Sequence, residues 1–277
     1  MSDVRIVTGD CVKVLSSVAP DSVPLFVVDP PYGIGLNYGD HYDDNASDAA
    51  YRAWTREWLR ACARALTRNG SMWVIVNPVR GWQVCAEAVD GAGLRLHQEV
   101  IWRETFGVNC PGKFNLTHRP LLWFAKGDHP VFNAAAVNRP SDRQLKYNDK
   151  RANPKGKNWD SVWLHLPVRT PEDGEDIWSV SRVCGSFKER LPEAKIKGEK
   201  AAQLTQLPLD LIRPIVACSS HPGDLVVDPF AGTGVTAVAC AELGRDHLGI
   251  ELSPATADVA RRRVSDHLAG RGGQQPA

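Results

Sequence analysis

At 277 residues, with 43% hydrophobic and 23% charged side chains, the chain has the size and balance of an ordinary soluble protein able to bury a full core. Its first residues lack the apolar stretch of a signal peptide, no apolar run approaches the ~20 residues of a membrane span, and its seven cysteines form neither a C-x-x-C pair nor a Cys/His cluster at zinc spacing. A disulfide scaffold, a membrane protein and a structural metal are all disfavoured, and the expected setting is the reducing cytoplasm.

In chain order, Asp10 has the side chain of an N-cap for a helix over residues 11–17. The apolar run 25–28 ends in Asp29 and suits a strand buried on both faces. Over residues 48–67, Ala50, Trp54, Trp58, Cys62 and Leu66 recur every four positions, which predicts a helix stopped by Asn69-Gly70. Residues 72–76 form a strand candidate, and residues 94–102 and 121–126 are two more, paired antiparallel. Later runs repeat the first pattern: 225–227 before Asp228 and 248–250 before Glu251. Helices are expected over 233–243, closed by Gly244, and over 254–268, capped by Ser253. Cys62, Cys85, Cys218 and Cys240 lie in apolar contexts and read as buried thiols. This alternation predicts an α/β domain with a doubly wound, mostly parallel sheet, its acidic residues at the carboxyl edge where open sheets bind ligands.

Between residues 127 and 200 neither period is sustained. A structureless stretch of that length is functional or disordered, and Trp159, Trp163 and Trp178 argue against plain disorder. The expected organisation is a first half over 1–126, an inserted recognition region over 127–200, a second half over 201–269 and a disordered tail over 270–277. Within the insertion, Arg139, Arg143, Lys146, Lys150, Arg151, Lys155 and Lys157 face only Asp142 and Asp149. The stretch 138–157 thus carries +5, against −4 for the rest of a chain whose net charge is +1. Such an island is either a solvated loop or an anion-binding surface.

Two segments carry chemistry. Asp228-Pro-Phe230-Ala-Gly232-Thr-Gly234 is a glycine turn between a strand and a helix, where the backbone can approach a ligand closely. Glu251 follows 23 residues later, near the ~20-residue offset at which an acidic side chain accepts bonds from ribose hydroxyls. No Lys-Ser/Thr follows the glycines, so a nucleoside cofactor without a polyphosphate is favoured over a triphosphate. The second segment is Asp29-Pro30-Pro31-Tyr32, also at a strand end. Its prolines fix the backbone and remove two N–H donors, leaving carbonyls to accept. It reads either as a rigid turn or as an acceptor-rich corner for a planar, amino-bearing ligand. Asp29 and the Pro30 carbonyl, each accepting one N–H, would draw an exocyclic amine toward tetrahedral geometry and free its lone pair for attack.

As a pair, these two motifs resemble the amino-methyltransferases of DNA, and their order, with the irregular region between them, resembles the beta class of that family. The resemblance covers residues 6–264 and implies a sheet of the S-adenosylmethionine-dependent methyltransferase type. It implies Asp29, Pro30, Pro31 and Tyr32 as the catalytic residues, with Tyr32 stacking on the base. For S-adenosylmethionine it implies Asp10, Cys11, Asp29, Gln206, Asp228, Phe230, Gly232, Gly234 and Glu251, and no metal. Family members often carry Gln-Lys-Pro where this chain has Gln206-Leu207-Pro208, which leaves Lys200 or backbone N–H groups for the cofactor's carboxylate. Pro214 interrupts the helix that follows. The block from Arg182 to Arg190 also resembles some members and is placed near DNA.

The partner implied is double-stranded DNA, held by the seven basic residues of the insertion while the target base flips out. The glycine- and asparagine-rich residues 33–45 are expected to be mobile and to serve that flipping. His118 and Arg119, ahead of a strand, face DNA or are structural. Asp29 points to adenine N6 as the target; cytosine N4 is the alternative, and methylation of RNA or of protein glutamine is a more distant one. A homodimer and a cognate restriction endonuclease are further possible partners.

Overall fold

The computed structural model describes residues 2–36, 38, 42–103, 110–163 and 206–272. Their strands are β1 (Val4–Thr8), β2 (Val23–Val28), β3 (Leu66–Ile75), β4 (Arg95–Arg103), β5 (His118–Ala125), β6 (Val162–Trp163), β7 (Leu225–Asp228) and β8 (Asp246–Glu251). They form one sheet in the order β1-β8-β7-β2-β3-β5-β4-β6. The first five in that order run parallel, β5 is antiparallel to both its neighbours, and β6 is parallel to β4. The helices are α1 (Cys11–Ser16), α2 (Asp48–Ala65), α3 (Gly81–Ala86), α4 (Asp142–Leu145), α5 (Leu209–Ser219), α6 (Val235–Leu243) and α7 (Pro254–Gly272).

Strand β2 shows why the layers form. Successive side chains of a strand point to opposite faces, so a run without polar alternation needs cover on both. Phe26 and Val28 pack with Leu15 of α1, Trp58 of α2 and Val84 of α3. Leu25 and Val27 pack with Ile212 and Ile215 of α5 and Ala239 of α6. Beside β2, Trp73 of β3 stacks on Trp123 of β5 at 4.9 Å, and their indole N–H groups donate to Ser219 and Ser71 at 2.9 Å. The doubly wound α/β expectation therefore holds, as does the antiparallel pair.

Several boundaries differ from expectation for local reasons. Asn69-Gly70 does not stop α2: the helix ends at Ala65, and β3 begins at once with that dipeptide inside it. A Cβ on Gly70 would lie 2.9 Å from the Pro24 carbonyl, and the β2–β3 register shifts at this point, so the glycine serves a close strand approach. Helix α6 starts at Val235 because Gly234, at φ +77°, forms its N-cap. Helix α5 continues through Pro214, and α7 extends to Gly272, past the expected tail boundary. Cys62, Cys218 and Cys240 are buried, but Cys85 is only half-buried. His118 and Arg119 lie within β5 and not ahead of it.

The described part of the insertion is irregular but tied down. Asn133 donates from its backbone to Cys218 and from its side chain to Ala217 and Ser220, fastening the segment to the end of α5. Arg139 and Lys157 exchange backbone bonds at 3.0 and 2.8 Å. Trp159 meets Trp163 edge-on at 5.5 Å, and Trp163 packs in the core as β6 joins β4. Trp178, the block from Arg182 to Arg190 and Lys200 lie outside the described residues. Among the described residues no helix is long and apolar enough to cross a membrane.

Candidate active site

Because β1, β8, β7 and β2 are adjacent and parallel, their carboxyl ends bring together Asp10, Glu251, Asp228 and Asp29 from distant parts of the chain. An open cleft over this edge is lined by Asp10, Cys11, Asp29, Pro30, Pro31, Tyr32, Phe230, Gly232 and Glu251. Most of the residues expected to bind a cofactor, and all four expected to be catalytic, are thus in one place.

The two acidic residues expected beside the glycine turn have different settings. Glu251 accepts from the backbone N–H of Gly232 and of Ser253, both at 2.9 Å, while still lining the cleft. Asp228 is turned inward and buried. It accepts from Phe230 N–H at 3.0 Å and from the Thr236 hydroxyl at 2.7 Å. Burial pushes its pKa up to about 7, opposed by those two hydrogen bonds and aided by Asp29 and Glu251. It borders a smaller inner recess with Val27, Leu207 and Gly232, and not the main cleft.

Gly232 and Gly234 adopt left-handed backbone, and a Cβ on Gly234 would meet Ala260 of α7 at 3.0 Å. Asp10 caps α1 as expected, accepting from Lys13 N–H at 2.9 Å, and also faces the cleft. The neighbouring Cys11 thiol is pushed up to about 12 by burial and then by Asp10. Gln206 is buried ahead of Leu207 but lines neither space. The outer wall is aromatic: Phe230 lies 5.6 Å from Trp54 and 5.5 Å from Trp58, and Tyr42 lies 5.3 Å from Trp54. Tyr38, Tyr42 and Trp54 in the cleft were not anticipated as site residues, since nothing local marks them as more than core or loop aromatics.

The corner from Asp29 to Tyr32 is held from several sides. Tyr51 donates to the Pro31 carbonyl at 3.1 Å. Arg80, buried at the start of α3, donates to the Tyr32 carbonyl at 3.2 Å and to the Gly33 carbonyl at 2.9 Å. Among the described residues, no donor reaches the Pro30 carbonyl. Tyr32 is only 6% exposed. Its hydroxyl donates to Asp29 Oδ1 and accepts from Arg119 at 2.7 Å. Burial, and then Asp29, keep that phenol protonated well above its usual range. The loop that follows is not loose at its root: the buried Asp44 accepts from Gly33, Ile34 and Leu36 N–H at 2.8–3.0 Å.

The basic island is a self-paired surface. Arg143 and Arg151 both reach Asp149, Arg139 and Lys157 both reach Asp160, and Lys146 reaches Asp142. Those pairs are exposed and contribute little to stability, while Lys150 and Lys155 are exposed without a carboxylate partner among the described residues. In the β4–β5 connection, at the same sheet edge as the cleft, Phe114 is 97% exposed.

Comparisons with known proteins agree with this geometry. Residues 23–262 match the DNA methylase family of the N6/N4 type. The type II methyltransferase M.HpaI of Haemophilus parainfluenzae is 26% identical over 272 residues, covering 97% of this chain and 76% of that protein. M1.MboII of Moraxella bovis is 27% identical over 253 residues, covering 88% and 90%. Among solved structures, the cytosine-N4-specific PvuII DNA methyltransferase aligns with a TM-score of 0.66 at 16% identity, over 97% of this chain and 92% of that one. The DNA modification methylase TTHA0409 of Thermus thermophilus, solved with S-adenosyl-L-methionine, aligns at 0.60 and 23% identity, over 96% and 95%. A family match over most of the chain, on a sheet whose edge gathers both motifs into one cleft, makes this protein a member of the N6/N4 DNA methylase family.

Proposed function

We propose that this protein transfers a methyl group from S-adenosylmethionine to the N6 amino group of adenine in double-stranded DNA, with the base flipped out of the helix. The observation that carries this reading is the meeting, in one cleft, of Asp29-Pro30-Pro31-Tyr32 with the Gly232/Gly234 turn and Glu251, which lie some two hundred residues apart in the chain.

The cleft fits the cofactor. Glu251, Asp10 and Cys11 line it together, which supports roles for Glu251 toward the ribose hydroxyls and for Asp10 and Cys11 toward the adenine, and Phe230 forms part of an aromatic wall. Bound there, S-adenosylmethionine supplies a methyl group activated on a sulfonium. The protein's part is to present the amine. Asp29 and the open Pro30 carbonyl accept hydrogen bonds from its two N–H groups, so the nitrogen lone pair is turned away from the base ring, and the proton that the methylated nitrogen sheds can leave toward Asp29. Fixed acceptors of this kind lower the barrier by positioning and electrostatics. A base within a duplex cannot reach such a corner, so flipping precedes chemistry at a cost of a few kcal/mol. The duplex is held meanwhile by phosphate contacts from Arg139, Arg143, Lys146, Lys150, Arg151, Lys155 and Lys157.

The deciding experiment supplies labelled cofactor and unmethylated duplex DNA, then digests the product to nucleosides. N6-methyl-2′-deoxyadenosine is expected. N4-methyl-2′-deoxycytidine would move the target to cytosine, a reading favoured by the likeness to the PvuII enzyme. Label appearing only in RNA or protein would overturn the DNA reading. A separate measurement addresses the basic surface. Replacing Lys150 and Arg151 by alanine should weaken DNA binding and flatten the log–log salt slope by about 1–2. An unchanged slope would return the island to a solvated loop.

A further inference from the structure

We infer that Arg119 is a positioning residue, which acts through the Tyr32 hydroxyl to orient the Asp29 carboxylate for the incoming amine. This rests on the proposed amino-methyl transfer and concerns how the catalytic carboxylate is aimed.

The three groups form a chain across the sheet edge. Arg119 belongs to β5, opposite Trp102 of β4, and its guanidinium lies 5.9 Å from the Trp102 ring and 5.4 Å from the Tyr32 ring. Held between two aromatic rings, it has little freedom, and one of its N–H groups donates to the Tyr32 oxygen at 2.7 Å. That oxygen spends its own hydrogen on Asp29 Oδ1. A donor bonded to a hydroxyl oxygen strengthens the bond the hydroxyl makes in turn, more so where water is excluded, and Tyr32 is buried.

The consequence for Asp29 is a fixed carboxylate plane. With Oδ1 engaged by the phenol, the plane of the carboxylate is set relative to the neighbouring Pro30 carbonyl, the second acceptor proposed for the base amine. The Tyr32 backbone is pinned separately by Arg80, so loss of Arg119 would loosen the hydroxyl without releasing the corner itself. Arg119 does not line the cleft, which separates its role from cofactor binding. Nor does this role depend on the exposed basic island, which lies in a different segment of the chain.

The test is a double-mutant cycle on DNA methylation with Tyr32→Phe and Arg119→Gln, with Arg119→Lys as the conservative variant. Tyr32→Phe keeps a ring for stacking and removes the hydroxyl. Each single change should lower kcat by about 10-fold, with little change in KM for DNA, in cofactor affinity or in salt slope. The double variant should be no slower than either single one, because both break the same chain. Arg119→Lys, which keeps a donor and a charge, should recover part of the loss. Full kcat in Tyr32→Phe would overturn the inference. So would an Arg119→Gln effect that persists undiminished in the Tyr32→Phe background, or that falls on KM and salt slope as a phosphate contact would. A readout independent of turnover is the NMR signal of tyrosine labelled with carbon-13 at Cζ. The Tyr32 signal should move in both Arg119→Gln and Asp29→Asn, and a signal unmoved by either would overturn the chain. Wild-type turnover on DNA reports on the proposed function, and only the variants report on Arg119.

Discussion

Replacing Asp29 by alanine should lower methyl transfer by ~10²-fold or more while leaving the affinity for S-adenosylmethionine largely intact. The magnitude is that of removing one preorganised polar group aimed at the reacting centre. Asp29 loses nothing structural to the sheet, since β2 is held by its buried residues from Val23 to Val28 and by pairing to β3 and β7. What disappears is the proposed acceptor for the target amine and the partner of the Tyr32 hydroxyl. Asp29→Asn keeps one acceptor oxygen and the side-chain shape, and should fall between wild type and alanine. Single-turnover rates with saturating cofactor make the comparison. Wild-type rates in Asp29→Ala would remove this residue from the chemistry.

The second large effect should appear in binding. Glu251→Ala should raise the dissociation constant for S-adenosylmethionine by about 10²-fold, since a hydrogen bond to a charged group is worth ~1.5–3 kcal/mol and the ribose offers two hydroxyls. The same carboxylate also braces Gly232 and Ser253, so the turn that shapes the cleft loses two acceptor contacts at once. Glu251→Gln retains one acceptor oxygen and should lose less. Equilibrium titration without DNA isolates the effect from catalysis. An unchanged affinity in Glu251→Ala would mean that the cofactor's ribose is held elsewhere.

The parts of the fold legible in the sequence were those governed by local rules. Apolar runs ending in Asp29, Asp228 and Glu251 became β2, β7 and β8 because a strand buried on both faces has no other composition. Asp10 was readable as a cap, and Gly234 as a turn residue, from side-chain chemistry within a few positions. Asn69-Gly70 misled for the complementary reason. Its turn chemistry is real, but contact with β2 decided the outcome, and that contact is not local.

Within the site the same division holds. The two motifs were visible, whereas their clamps were not. Arg80, Tyr51 and Arg119 reach the Asp29–Tyr32 corner from the cap of α3, from α2 and from β5, and no spacing in the chain announces such contacts. The inward turn of Asp228 was equally hidden, because an acid after a strand can face either the ligand or its own turn. In the basic island, the opposing carboxylate of Asp160 lies just beyond residue 157, where the basic residues end.

Asp44 has a consequence for the order of events when a base arrives. By accepting three backbone N–H groups it joins Gly33, Ile34 and Leu36 into a single stiff body continuous with Tyr32. The setting of the Asp29–Pro30 corner is therefore complete before any base arrives, and its alignment adds no ordering cost at the moment of binding.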